Sequence, residues 1–383
     1  MYLFERLIWS HRTQSREKRD SSDEELRKEF GPSKVRIDPD AKGWGIHDRI
    51  EVKPTDAGSL YAFNDTYVDV RAAFQEEKRG LIAFGFLSMF GLINGYAFAG
   101  ITFPAIYGLA FGSNYYSGAT LNLEAYIAFP LLIIMWLGVN FVIFKYAWPW
   151  VRVELFTQRH LIARFNRKTR QVYVNRPHYA GGNVTLAWNA ASPAIQPDDP
   201  DHMGGAGFLA VAFPQERSGV DFSDFMFLGR PMRGNREIEG LWEYIRRYME
   251  EGPQAVPKPK RLLPLFPWPL EPVRATLRFM SPMWRRSGKA VALLTGLLLS
   301  PLLVLHAFCH WISLLLCWRP RWPKEIREAG RPGKPVPKLT TLEDFGPELA
   351  ERIRYNDQKD NEAVKPKRRR RKKPADEDAG MGG

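Results

Sequence analysis

The sequence predicts a membrane-inserted α-helical hairpin joined to an α+β cytoplasmic domain, and three observations predict it. Residues 81–101 and 125–144 are long runs without a formal charge. Basic residues crowd both outer flanks of this pair and are missing between its members. Residues 151–252 then switch to short strand-like stretches that end in one amphipathic helix. The averages hide this division, because 45% hydrophobic and 25% charged residues over 383 positions look like an ordinary soluble chain.

At about 1.5 Å per helical residue, either run crosses a hydrocarbon core of roughly 30 Å. The hairpin is expected over 80–146. The intervening loop, 102–124, contains no Lys or Arg, whereas Arg71, Lys78 and Arg79 precede the pair and Lys145, Arg152 and Arg159 follow it. The positive-inside rule therefore places both ends in the cytoplasm and the loop outside, as in a multi-pass protein of the bacterial inner membrane. Small residues at Ser88, Gly91, Gly95 and Ala99 share one helical face and allow close backbone approach. The expected partner is the second span near Gly138; a homo-oligomer face is the alternative.

A third apolar run, 290–318, is long for one crossing and short for two. Five basic residues flank it on each side, from Arg274 to Lys289 and from Arg319 to Arg331. Pro301 offers a break, which favours a re-entrant hairpin over a tilted span. The run also holds His306, Cys309, His310 and Cys317, side chains that suit zinc or copper. No CxxC spacing or supporting carboxylate accompanies them, so no metal and no cofactor is expected. These are read as polar groups facing protein or headgroups.

In the β-rich unit, "RVELFTQRHLIARFNRKTRQVYVNR" reads as three strands with a turn at "NRKTR". Further strands are expected at Val184–Trp188, "GFLAVAFPQ" and "VDFSDFMFLG". In the closing helix, Ile238, Leu241, Trp242, Ile245 and Met249 line one face. Six strands followed by a helix resemble a pleckstrin-homology-like barrel plugged at one end; a small sheet closed by the helix is the alternative. That resemblance implies a lipid-gripping basic loop at Arg164, Arg167, Lys168 and Arg170, each cation contributing roughly 1 kcal/mol toward anionic headgroups. The plainer reading is a solvated turn.

The remaining segments are a charged arm (1–63) with a short helix at "SSDEELRKEF", a juxtamembrane helix (64–79) and a Pro-rich linker (253–289) that becomes an interfacial helix near 271–286. A helix-rich cytoplasmic segment (319–354) and a disordered polybasic tail (355–383) complete the chain. On a membrane protein, the net charge of +13 and the run "KPKRRRRKK" point to membrane lipids as partners, not to nucleic acid. Two cysteines exclude a secreted disulfide framework. No P-loop, GxSxG, HExxH or EF-hand pattern occurs, so no catalytic residue is assigned and the expectation is a non-enzymatic protein. "DDPDH" (198–202) reads as a surface loop.

"RFNRKTRQVYVNR", "LWEYIRRYMEEGP" and "RPRWPKEI", with the hairpin before the β unit, resemble an uncharacterised family of proteobacterial inner-membrane proteins. The resemblance covers about 64–330 and implies an accessory or immunity role beside type VI secretion and Rhs-toxin genes, with a toxin or secretion component as protein partner. An anionic-lipid scaffold is the second reading, and a small pore or transporter component the third.

Overall fold

A computed structural model describes residues 2–30, 45–74, 76–194, 207–232, 234–277 and 288–364. The 198–202 loop, the polybasic run and residues 278–286 of the expected interfacial helix lie outside these residues. The chain divides into two compact units, residues 1–9 with 43–341 and residues 10–42 with 342–383.

The first unit is built on a five-stranded antiparallel sheet in the order β1 (Leu60–Phe63), β2 (Tyr67–Arg71), β3 (Ile162–Asn166), β4 (Gln171–Asn175), β5 (Asn183–Ala187). Asparagines shape two of its turns. Asn64 Oδ1 accepts from the amides of Thr66 and Tyr67 at 2.8 and 2.9 Å, and Asn166 Oδ1 accepts from those of Lys168 and Thr169 at 3.1 and 3.2 Å. The expected turn at "NRKTR" is therefore present. A second sheet holds β6 (Ser192–Ala194), β7 (Gly207–Phe213) and β8 (Asp224–Met232), with the short helix α6 (Gln215–Ser218) between the last two.

Helix α7 (Asn235–Glu250) buries the expected face: Leu241, Trp242 and Ile245 are fully enclosed. Trp242 lies 5.6 Å from the Trp188 ring, which meets Phe165 edge-on at 5.9 Å. Among the described residues the strands form two separate antiparallel sheets, not a closed barrel. The reason lies in where the strands come from. The expected strand around 152–156 is the end of a helix, while β1 and β2 come from residues assigned to the arm and the juxtamembrane helix. Residues 64–79 thus carry strand β2 and a single 3-10 turn, Glu76–Lys78, instead of a helix.

Strands β2 and β3 are neighbours, with Arg71 opposite Ile162, although residues 72–161 separate them. Into that connection are inserted α3 (Leu81–Ala97), a π-helical turn at Phe98–Thr102, α4 (Phe103–Phe111) and α5 (Leu123–Leu155). Helical structure from Leu81 to Phe111 continues ten residues past the expected end of the first span, and Asn122 caps α5 through Oδ1 to the Ala125 amide at 3.0 Å. Both helical stretches, 31 and 33 residues, are long and apolar enough to cross a membrane. No residue of α3 is buried, and on α5 only Val151 and Glu154 are, so neither helix is enclosed as a core helix among the described residues. Leu92, Phe111, Leu123 and Phe141 are each at least two-thirds exposed.

The third apolar run is two helices, α8 (Lys289–Leu298) and α9 (Ser300–Leu316), meeting at Leu299, two residues before the expected break at Pro301. Helix α9 runs antiparallel to the start of α3: His310 abuts Gly80, and the His306 ring stands 6.0 Å from Phe84. Beyond α9 the chain follows the large sheet. Ile326 of the short helix α10 (Lys324–Glu328) and Ala329 pack on Tyr173, and Thr340 bonds Thr185. Of the expected helix-rich segment 319–354, residues 324–328 and 347–354 are α-helical, and the stretch between them reaches the sheet through Pro337, whose carbonyl accepts from Gln171, and Thr340.

In the second unit, α2 (Arg16–Phe30) and α11 (Pro347–Val364) are joined by charge, with the end of α1 (Leu3–Thr13) beside them. Arg12 grips Asp357 through two bonds of 3.0 and 2.7 Å, and Arg19 pairs with Asp360 at 2.6 Å. Residues 355–364, expected to be disordered, are helical because these pairs hold them.

Replacing Trp242 by Ala removes a fully buried α7 side chain that packs on Trp188. It is expected to cost about 3–5 kcal/mol of stability, measured by denaturant unfolding of the full chain in detergent.

Candidate functional site

The functional geometry gathers where the inserted helices leave the sheet. Glu154, fully buried in the last turn of α5, accepts from the backbone amides of Gly80 (2.9 Å) and Ala83 (2.7 Å). A carboxylate is thereby placed on the free N–H groups at the start of α3, where the helix dipole favours it. Gly80 has φ +89°, and a Cβ there would stand 2.6 Å from the backbone of His310. Only glycine fits this crossing.

Arg79, also fully buried, closes the junction. Its guanidinium donates to Ser313 Oγ at 3.1 Å, Cys317 Sγ at 3.0 Å and the carbonyl of Gln158 at 3.2 Å, and it faces the Tyr2 ring. Arg159 donates to the carbonyls of Leu314 (2.8 Å) and Cys317 (2.9 Å), satisfying the C-terminal end of α9. All three apolar elements are therefore pinned to one root.

A titratable cluster sits against this root. Glu76 pairs with Arg71 at 3.0 Å and with His160 Nδ1 at 3.1 Å, and the Tyr61 hydroxyl lies 3.0 Å from the same nitrogen. With Glu271 and His310 these groups line a cavity of about 80 Å³. Burial alone would raise the Glu76 carboxyl, but Arg71, His160 and Arg79 overcome it and hold the group well below the usual carboxylate range. Burial also lowers the His160 imidazole, against the pull of Glu76. The cavity is small and its charges are paired with one another, which suits a structural lock better than a substrate site.

The four basic residues expected to grip lipid are divided by the structure. Arg164 points into the sheet, buried, where it holds Asp69 through two bonds of 2.7 and 2.8 Å and stacks 3.6 Å from the Tyr67 ring centre. It is not presented to a ligand. Arg170 pairs with Glu250 at 2.8 Å, Arg167 lies against Gly252, and Lys168 is exposed. The small-residue face does not meet the second span: a Cβ on Gly91, Gly95 or Gly138 would find nothing within 4 Å, and Ala99 is exposed like the two glycines beside it. Ser88 is half-buried on the same helix.

His306 bonds Thr276 at 2.9 Å, Cys317 accepts from Arg79, and Cys309 is buried as a free thiol. No group of three metal-ligating side chains converges among the described residues.

Sequence reading missed a different feature. The end of α5, the turn Pro177–Tyr179 and the segment Trp318–Arg321 enclose a cleft of about 910 Å³. Arg6, Arg152, Arg176, Arg319 and Arg321 line it, and no Asp or Glu does. Arg176 is held by Asp224 at 2.8 Å, and Arg6 lies 5.6 Å from the Trp150 ring centre. Arg152, Arg319 and Arg321 are exposed, and no carboxylate pairs with them among the described residues. The signal that could have found the cleft is the mixing of Trp and Arg where apolar runs end, in "WPWVR" (148–152) and "WRPRW" (318–322).

Sheet and root together define an α+β protein with an apolar helical insertion. Residues 220–333 match a family model described as "Family of unknown function (DUF6708)". That stretch spans α7, α8, α9 and α10, a narrower region than the resemblance at 64–330, and it carries no link to type VI secretion or Rhs genes. No curated protein and no solved structure matches the chain.

Two outcomes are expected. His160 and Glu76 both have folded-state values below their unfolded ones, so the unfolded chain takes up protons that the folded chain refuses, and stability falls with pH. The loss begins as pH drops through about 6.5, for the imidazole, and steepens below about 4.5, for the carboxylate. Melting temperatures across pH should show both limbs, with the upper limb reduced in His160→Gln. Gly80→Ala, measured the same way, should destabilise the chain by several kcal/mol, since a forced shift at a packed crossing joins a strained backbone.

Proposed function

We propose that this chain is a non-enzymatic, membrane-anchored binding protein that holds its α+β module against the cytoplasmic face of a bacterial inner membrane. The observation that carries the reading is the insertion of two long, outward-facing apolar helices between paired strands. Lipid is the solvent that such helices require, and strand pairing keeps both of their module-side ends on one side of it. The loop between the helices has no Lys or Arg, whereas the sheet end is rich in both, so the positive-inside rule assigns the module to the cytoplasm. Tyr146, Trp148 and Trp150, all exposed on α5, supply an aromatic belt at that end.

A protein partner in type VI secretion, as an accessory or immunity protein, rests on the family resemblance alone. Deleting the gene should then sensitise cells to one neighbouring effector.

The anchoring itself is tested by fractionation. The full chain should stay with membranes after alkaline extraction, and protease added outside spheroplasts should leave residues 162–250 intact. Recovery in the supernatant, or digestion of that segment from outside, would refute it.

A further inference from the structure

We propose that the arginine-lined cleft at the foot of α5 binds the phosphate headgroup of an anionic phospholipid, an inference that rests on the anchoring proposed above. Its charge is the first ground. Elsewhere in this unit the buried arginines are satisfied internally: Arg79 by carbonyls and Ser313, Arg164 by Asp69, Arg246 by Glu243. Arg152, Arg319 and Arg321 instead share one cleft with no acidic lining residue, and like charges gathered this way call for a counter-anion.

Position is the second ground. Arg152 lies two turns of helix past Phe144, the last residue of the uncharged window, or about 12 Å along the axis. Headgroup layers begin where that window ends, and a long cationic side chain can reach back toward them.

Chemistry and shape agree. Guanidinium groups match phosphate oxygens in paired bonds, which a single carboxylate-free cleft can offer from several directions. Phe156 and Trp318, 42% and 57% exposed, form an apolar rim suited to glycerol and the first methylenes of an acyl chain. A volume of about 910 Å³ holds a headgroup with that backbone. The cleft stands apart from the β3–β4 loop, whose Arg170 is already paired, and from Arg164, which is paired within the sheet.

The test uses the full chain purified in dodecyl maltoside. Native mass spectrometry measures binding of dioleoylphosphatidylglycerol against dioleoylphosphatidylcholine. The wild-type chain should prefer the anionic lipid, and Arg152→Gln/Arg319→Gln/Arg321→Gln should lose about tenfold or more of that preference at an unchanged melting temperature. A charge-matched control, Lys324→Gln/Arg327→Gln/Arg331→Gln, should keep it. The proposal is overturned if the cleft variant keeps the preference or if the control loses as much. It is also overturned if millimolar inorganic phosphate displaces the lipid, which makes a soluble phosphate the ligand. Equal, cleft-dependent binding of a single-stranded oligonucleotide would assign the site to nucleic acid instead. Because lipid preference is read in detergent, its loss is distinguishable from a failure of membrane anchoring, which fractionation reads.

Discussion

The pairing of β2 with β3 is the constraint on which the first unit depends. Residues 71 and 162 face each other across a strand pair, so everything between them must leave the sheet and return to the same place. Two helices joined by a short turn satisfy that geometry, because their free ends lie side by side. The sheet therefore does for the hairpin what a clasp does for a loop of cord. Glu154 on the N-terminus of α3 and Arg79 beneath it add a second closure, made of hydrogen bonds rather than a strand ladder. Helix α9 is drawn into the same closure through Ser313 and Cys317.

Such a root is costly to assemble and rigid once assembled. Each buried charge loses its hydration, and the loss is offset only when every lone pair and N–H finds a partner. Arg79, Glu154, Asp69 and Arg164 meet that condition through several bonds each. The cleft arginines do not, and the contrast separates groups that hold the fold from groups available to something outside it.

Much of this architecture was legible in the residues, for definite reasons. The two long apolar helices were visible because they are apolar on all sides, so no tertiary context is needed to recognise them. Helix α7 announced itself by apolar residues at helical spacing, and the β3–β4 turn by Asn166. The strands β1 and β2 were not visible, since "LYAFNDTYVDVR" mixes charge and aromatics in a way that a helix also tolerates. Asp69 makes sense in a strand only beside Arg164, which is far away in the chain. "VRVELF" alternates like a strand, yet it continues α5, because Glu154 is needed on the helix that reaches Gly80. The same distance effect explains the basic residues. Four neighbours in one loop drew attention, while the cleft was assembled from positions between Arg6 and Arg321 that no local window joins.

The insertion also imposes an order of events during synthesis. Strand β2 emerges from the ribosome long before β3, and until β3 arrives its backbone groups have no partner on that side. Both apolar helices must be made before the sheet can close around their ends, and under the anchoring proposed above they leave water for lipid first. Until β3 is made, the nascent chain carries an open strand edge, the kind of surface that nucleates aggregation.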